Sequence, residues 1–68
     1  MEFIELKRQI LKILFNEKDI LNYKYDTYVQ EVELLETISD IKMWIIKYRY
    51  ILTKYGREDL DKLYSVLI

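Results

Sequence analysis

The fold depends most on residues 40–55, which read DIKMWIIKYRYILTKY. On a helix, at about 100° per residue, these positions form two apolar arcs separated by two polar strips. The first arc contains Ile41, Ile45, Tyr48, Leu52 and Tyr55, with Trp44 and Ile51 at its edges. The second arc contains Met43, Ile46 and Tyr50. A helix that is apolar on two sides is expected to pack on two sides.

One of these sides can belong to the chain's own core, and the other then requires a second chain. We therefore predict an interface, formed with a copy of this chain or with another protein, at Met43, Trp44, Ile46, Tyr50 and Ile51. The alternative is an entirely intramolecular core built by a bent hairpin.

Upstream of this stretch, a first helix is predicted from about residue 2 to 15, or to residue 22 if it continues through Asn16. Apolar residues recur there at helical spacing, namely Phe3, Leu6, Ile10, Ile13 and Leu14. Asn16 is ambiguous because Asn16 and Asp19 have the spacing of a capping box, yet both also fit a continuing helix.

The connection to the next helix is expected within residues 22–27. Thr27 and Gln30 have the capping-box spacing for a helix that starts there. From Tyr28 to Tyr55 the apolar positions recur at steps of three and four, but three successive steps of three occur between residues 32 and 41. The pattern therefore contains a phase slip.

Two structures explain the slip. A continuous helix can absorb it by local overwinding. Alternatively, the chain breaks, with Ser39 as the N-cap and Ile38 packed on Met43. The absence of Gly and Pro from this segment favours the continuous helix.

The single glycine, Gly56, follows the cationic Lys54 and the neutral Tyr55. A glycine directly after a basic last turn is typical of a helix end, so Gly56 is predicted at that position. The tail from Arg57 to Ile68 is amphipathic and has acidic residues in its first turn, which predicts a short C-terminal helix.

Length and composition limit the number of domains, the ways of stabilising the fold and the kinds of site the chain can form. A chain of 68 residues makes one domain, residues 1–68, and buries only about 60% of its unfolded surface. Small chains compensate with disulfides, metals or self-association. The sequence has no Cys and no His, so it cannot form disulfides, the usual zinc sites, thiol nucleophiles or imidazole bases. We predict an all-α fold, a small helical hairpin plus a short C-terminal helix, with more than about 70% helix.

Self-association then predicts a homodimer that resembles a four-helix bundle. We expect no catalytic residue, no metal site and no cofactor.

Charge is distributed unevenly although the net charge is only −1. Residues 17–40 carry seven acidic and two basic side chains, whereas residues 41–57 carry five basic and no acidic ones. We expect the two blocks to pair, within the hairpin or across subunits. In the alternative, nucleic-acid interpretation the basic side chains contact phosphates beside aromatic platforms; they are Lys42, Lys47, Arg49, Lys54 and Arg57.

The favoured function is a non-enzymatic protein–protein interaction module, an adaptor or inhibitor that acts as a homodimer and binds a further protein. The runner-up is a nucleic-acid-binding regulator that uses residues 42–57. We expect a cytoplasmic location and no stable membrane insertion, because Ile41–Leu52 is too short and is interrupted by bases. The bias toward Ile, Lys and Tyr, with no Ala, is typical of AT-rich genomes, including those of viruses and mobile elements.

Overall fold

A computed structural model describes residues 2–67, and helix accounts for 88% of them. The α-helices are α1 (Phe3–Asn16), α2 (Lys18–Leu21), α3 (Tyr25–Glu33), α4 (Ile38–Tyr48) and α5 (Lys54–Leu67). Short 3₁₀ turns follow α2 and α4, at Asn22–Lys24 and Arg49–Ile51. No strand occurs between residues 2 and 67, so the predicted all-α class is confirmed.

The core lies around α1, which contacts both α3 and α5, while α5 also contacts α4. The buried side chains follow the predicted apolar stripes, and they are Leu6, Ile10, Ile13, Leu14, Leu21, Val32, Ile41, Trp44, Ile45, Leu52, Leu60 and Leu63. Both the first helix and the amphipathic C-terminal helix therefore form as their periodicity predicted. Within residues 2–67, no helix combines the length and the apolar character needed to cross a bilayer.

The connection between α1 and α3 differs from the prediction. Helix α1 ends at Asn16, and the N-cap of α2 is Glu17, with no side-chain cap from Asn16. Asn22 adopts a φ of 56°, a left-handed value that Asn tolerates better than most residues, and the chain turns there. Thr27 lies inside α3, which begins at Tyr25, so its predicted role as an N-cap is wrong.

The prediction of a continuous helix through residues 28–55 is also wrong, because the chain breaks between α3 and α4. The N-cap of α4 is Thr37, and Ser39 lies within the helix. Thr37 Oγ1 accepts a hydrogen bond from the Asp40 N–H at 3.1 Å, and Asp40 Oδ2 accepts from the Thr37 N–H at 3.1 Å. Asp40 Oδ2 also accepts from the Glu36 N–H at 3.1 Å. These backbone donors, the Glu36 N–H foremost, lower the pKa of Asp40.

The end of α3 is held by a side chain from α1. Lys7 Nζ donates hydrogen bonds to the carbonyl oxygens of Glu33, at 2.6 Å, and Leu35, at 3.1 Å. A lysine at a helix C-terminus satisfies carbonyl groups that have no partner within the helix. Lys7 therefore fixes where α3 stops relative to α1.

The two threonines provide a direct test of where the helices begin. Thr37→Ala removes the α4 N-cap and is expected to lower the free energy of unfolding by about 1 kcal/mol. Thr27→Ala, inside α3 and exposed, is expected to be neutral or slightly stabilising, because Ala is the better helix former. Urea denaturation of both variants measures the difference. A larger loss at Thr27 than at Thr37 would contradict these helix boundaries.

Gly56 does not end a helix, contrary to the prediction. Helix α4 ends at Tyr48, and Gly56 is the buried third residue of α5. Thr53 directly precedes α5, and the Glu17 carboxylate reaches this point from the junction between α1 and α2. Glu17 Oε1 accepts hydrogen bonds from the Thr53 N–H, at 2.9 Å, and from the Thr53 hydroxyl. An acidic group here is favoured by the helix dipole of α5.

Candidate interaction surface on helix α4

The structure separates the five predicted interface residues into two groups. Met43, Ile46 and Tyr50 are between 51% and 71% exposed, and they recur at steps of three and four along one side of α4 and its 3₁₀ extension. Trp44 is buried in the core and Ile51 is half-buried against it. The second apolar arc is therefore at the surface, while Trp44 and Ile51 lie on the core side.

A groove of about 500 Å³ lies along the exposed side of α4. Its walls come from α4 on one side and from α3 with the following loop on the other. The lining residues are Glu31, Leu34, Leu35, Asp40, Met43, Trp44, Ile46, Lys47 and Tyr48. The groove thus joins two of the exposed predicted residues, Met43 and Ile46, to a region that the sequence analysis did not include.

Aromatic contacts hold the two walls together. The ring centroids of Tyr28, from α3, and Tyr48, from α4, are 5.3 Å apart in an edge-to-face arrangement. Trp44 packs against the same Tyr48 ring at 5.2 Å. Offset and edge-to-face aromatic pairs add stability beyond the area they bury. The groove therefore has a wall of packed rings behind its exposed residues.

Leu34 is the main apolar residue that the sequence analysis missed. It lies directly after α3, is 76% exposed and lines the groove. Leu34 falls outside the apolar series 28, 32, 35, 38, which is the signal that it faces away from the core. An exposed leucine beside Met43 and Ile46 extends the apolar surface across the break between α3 and α4.

Two buried polar atoms at the groove have no hydrogen-bond partner among residues 2–67. They are Trp44 Nε1, a donor, and Glu31 Oε2, an acceptor. Buried polar groups are usually paired, and these two have lost contact with solvent without gaining a partner among the residues described. The groove therefore combines apolar contact area with a few unsatisfied polar atoms.

The charges of the groove are separated along α4. Asp40 lies at the start of the helix and Lys47 lies seven residues later, about 10 Å further along the axis. The Lys47 ammonium sits 5.1 Å from the centroid of the Tyr48 ring. Glu31, from α3, adds a second acidic side chain to the lining of the groove. Along α4 the charge therefore changes from negative at Asp40 to positive at Lys47.

The five basic residues of the nucleic-acid hypothesis do not form one patch. Arg49 makes a two-pronged ion pair with Asp61 of α5, with Nε–Oδ1 at 2.9 Å and Nη2–Oδ2 at 2.5 Å. This hydrogen bonding raises the pKa of Arg49 and lowers that of Asp61, and Arg57 contributes to the latter. Lys47 lines the groove instead. Lys42 is half-buried and Lys54 is exposed.

The predicted pairing of the acidic block with the basic block does not occur within the chain. Among residues 2–67 the ion pairs are Arg8 with Glu5 and Arg49 with Asp61, and neither joins residues 17–40 to residues 41–57. The pairing across subunits stays a prediction. It bears on the groove because Asp40 belongs to the acidic block and Lys47 to the basic one.

Comparison of the chain with protein-family models, curated proteins and solved structures finds no match.

Proposed function

We propose that the chain is a non-enzymatic protein–protein interaction module that acts as a homodimer, with the groove side of α4 as its interface. The observation that carries the proposal is the exposed apolar row of Met43, Ile46 and Tyr50 beside the exposed Leu34. Single exposed apolar residues are ordinary, but a grouped set of large ones marks an interaction site. A chain this short also gains stability from covering such a set.

The distribution of charge favours a protein partner over a nucleic acid. Phosphate binding requires a stripe of available lysines and arginines. Here Arg49 is already engaged by Asp61, and Lys47 shares its groove with Glu31 and Asp40. A surface that carries both signs next to apolar side chains is suited to a protein with complementary charges.

An adaptor or inhibitor role follows from a homodimer of this kind. Covering the α4 face leaves the outer side of α1 available in each copy, including the exposed Ile4, Arg8 and Phe15. Two such surfaces on one dimer would bind a further protein with the gain in affinity that two linked sites provide. This second partner, like the dimer, is part of the proposal.

Ile46→Glu tests the dimer. Because Ile46 is exposed in the single chain, the substitution is expected to leave the helix content unchanged. It should raise the dimer dissociation constant by about 100-fold or more, since an unpaired buried charge costs about 3 kcal/mol. Sedimentation velocity over a range of concentrations measures the constant, and circular dichroism checks the fold.

Ile4→Glu is the matched control, because Ile4 is exposed to a similar degree on α1, which lies outside the groove. It should leave the dissociation constant unchanged. A wild-type chain that stays monomeric at micromolar concentration would contradict the proposal. Tight binding of the wild type to single-stranded DNA or RNA that weakens steeply with salt would instead support the nucleic-acid function.

A further inference from the structure

The geometry points to an antiparallel dimer in which α4 packs against α4 of a second copy, with Asp40 of each chain paired to Lys47 of the other. This inference rests on the proposed homodimer and specifies its arrangement. It is carried by the charge pattern of the groove, by the positions of the exposed apolar residues along α4, and by the contrast with the apolar face of α1.

The charge pattern is self-complementary only in the antiparallel arrangement. Asp40 and Lys47 both line the groove, at opposite ends of the apolar pair Met43 and Ile46. A two-fold axis that crosses α4 midway between residues 40 and 47 places each acid opposite the other copy's base. A parallel pair would instead place Asp40 against Asp40 and Lys47 against Lys47, and like charges across an interface are unfavourable.

The acidic end is arranged to accept a cation. Asp40 Oδ2 is occupied by the N–H groups of Glu36 and Thr37, but Asp40 Oδ1 accepts no hydrogen bond from residues 2–67. Glu31, at the same groove, has the unpaired buried oxygen Oε2. A lysine ammonium from a second copy would therefore meet the unpaired Oδ1 of Asp40 there, in a groove to which Glu31 adds a second negative charge.

The apolar residues follow the same symmetry. Met43 lies next to the proposed axis, so it would face Met43 of the second copy. Ile46 of that copy would lie beside it. Tyr50 lies beyond Ile46 at the C-terminal side, and Leu34 lies four residues before α4 at the N-terminal side. The antiparallel arrangement brings Tyr50 of one copy over Leu34 of the other, which covers the two most exposed side chains of this face.

A second apolar groove, on α1, does not have this property. It has a volume of about 250 Å³ and is lined by Ile4, Lys7, Arg8 and Leu11. Its charges are all basic, so two copies would bring like charges together. Self-complementarity therefore favours the α4 groove over the α1 groove for a second copy of this chain.

The charge pairs are tested by reversing them. Lys47→Asp is expected to weaken self-association about tenfold, because both symmetric pairs become repulsive. Asp40→Lys should do the same. An equimolar mixture of the two variants should form a heterodimer with an affinity within about threefold of the wild type, since both pairs are again complementary.

Asp40→Lys also removes the Asp40 half of the α4 capping box, so a second variant is needed. Asp40→Asn keeps an amide oxygen for the N–H groups of Glu36 and Thr37, and it should weaken association about threefold with unchanged helix content. Arg49→Asp is the control, because it reverses a charge outside the groove. Mixing it with Asp40→Lys should not restore the affinity that Asp40→Lys loses. If the mixture of Lys47→Asp and Asp40→Lys shows no preference for the heterodimer, the pairing is wrong.

Disulfide trapping tests the orientation independently, because the chain contains no cysteine. Met43→Cys should give a covalent dimer on mild oxidation. Tyr50→Cys should not, because its two copies would lie about 20 Å apart along the axis, well beyond disulfide reach. Efficient trapping through Tyr50→Cys in a chain that is dimeric by sedimentation would overturn the antiparallel arrangement and leave the proposed function standing. A monomeric wild type would overturn both.

Discussion

Truncation of Ile10 to Ala is expected to lower the free energy of unfolding by about 2–4 kcal/mol. The Ile10 side chain is 0% exposed and lies in the row of α1 that faces α3 and α5. The loss combines the transfer free energy of the removed methyl and methylene groups with the cost of the cavity they leave. A small domain has only about 5 kcal/mol of stability in all, so Ile10→Ala should shift the unfolding midpoint strongly.

Ile4→Ala makes the same chemical change on the same helix at a side chain that is 68% exposed. Its effect should stay within about 0.5 kcal/mol. Urea denaturation followed by circular dichroism measures both variants. They must be compared at one protein concentration, because the stability of a dimer depends on it. Similar losses at Ile4 and Ile10 would contradict the way α1 faces the core.

The face of each helix could be predicted from the sequence because it depends on local periodicity. The apolar stripe of α1, the amphipathic α5 and the two arcs of residues 41–52 lie as the spacing predicted. Tyr55, predicted in the core-facing arc, is 76% exposed because α4 ends at Tyr48 and Tyr55 belongs to α5. Burial of one stripe is a strong constraint, since a rotation of the helix would expose several large side chains at once. For the same reason Met43 and Ile46 were recognisable as a second surface before the structure was known.

The helix ends were harder to predict because they depend on specific hydrogen bonds. The break before α4 contains no Gly or Pro, and its signal, Thr37 followed three residues later by Asp40, was present in the sequence but was overlooked in favour of Ser39. The two residues of that cap are three positions apart, so the cap can be predicted from the sequence. The cap of α5 is different, because Glu17 and Thr53 are 36 residues apart and only the fold brings them together.

The two walls of the groove also differ in whether local sequence spacing predicts them. Its α4 wall was predicted from spacing, whereas its other wall, with Glu31 and Leu34, appears only once the chain breaks and Tyr28 of α3 packs against Tyr48 of α4. A continuous helix through residues 28–55 would have placed these residues far from Lys47. The break therefore creates the second wall of the groove, whereas the charge separation between Asp40 and Lys47 that orients the proposed dimer lies within α4 itself.

Gly56→Ala is expected to destabilise the chain by about 1–2 kcal/mol, against the usual trend. Inside a helix, Ala is normally better than Gly by about 1 kcal/mol. Here a Cβ at position 56 would lie 2.5 Å from Glu17 Oε1, 3.0 Å from Leu52 Cβ and 3.1 Å from Leu52 Cδ1. Gly56 has no positive φ, so the glycine is required for space and not for backbone conformation.

Whether Gly56→Ala lowers or raises the free energy of unfolding depends on whether the Glu17 carboxylate can move away. Its carboxylate is the flexible end of a side chain, but moving it breaks the hydrogen bonds from the Thr53 N–H and hydroxyl at the start of α5. The Cβ of Leu52 is close to the backbone and cannot move away alone. The lost cap and the crowding at Leu52 together exceed the gain in helix propensity, so the net effect is a loss.

A double-mutant cycle separates these contributions. In a Glu17→Ala background the cap is already absent and the closest contact is gone, so Gly56→Ala should cost less than half as much as in the wild type, or become stabilising. Ser65→Ala, an exposed position of the same helix, serves as the control and should stay within about 0.5 kcal/mol. If Gly56→Ala stabilises the wild-type chain, Gly56 does not accommodate Glu17. An unchanged cost in the Glu17→Ala background would instead assign the crowding to Leu52 alone.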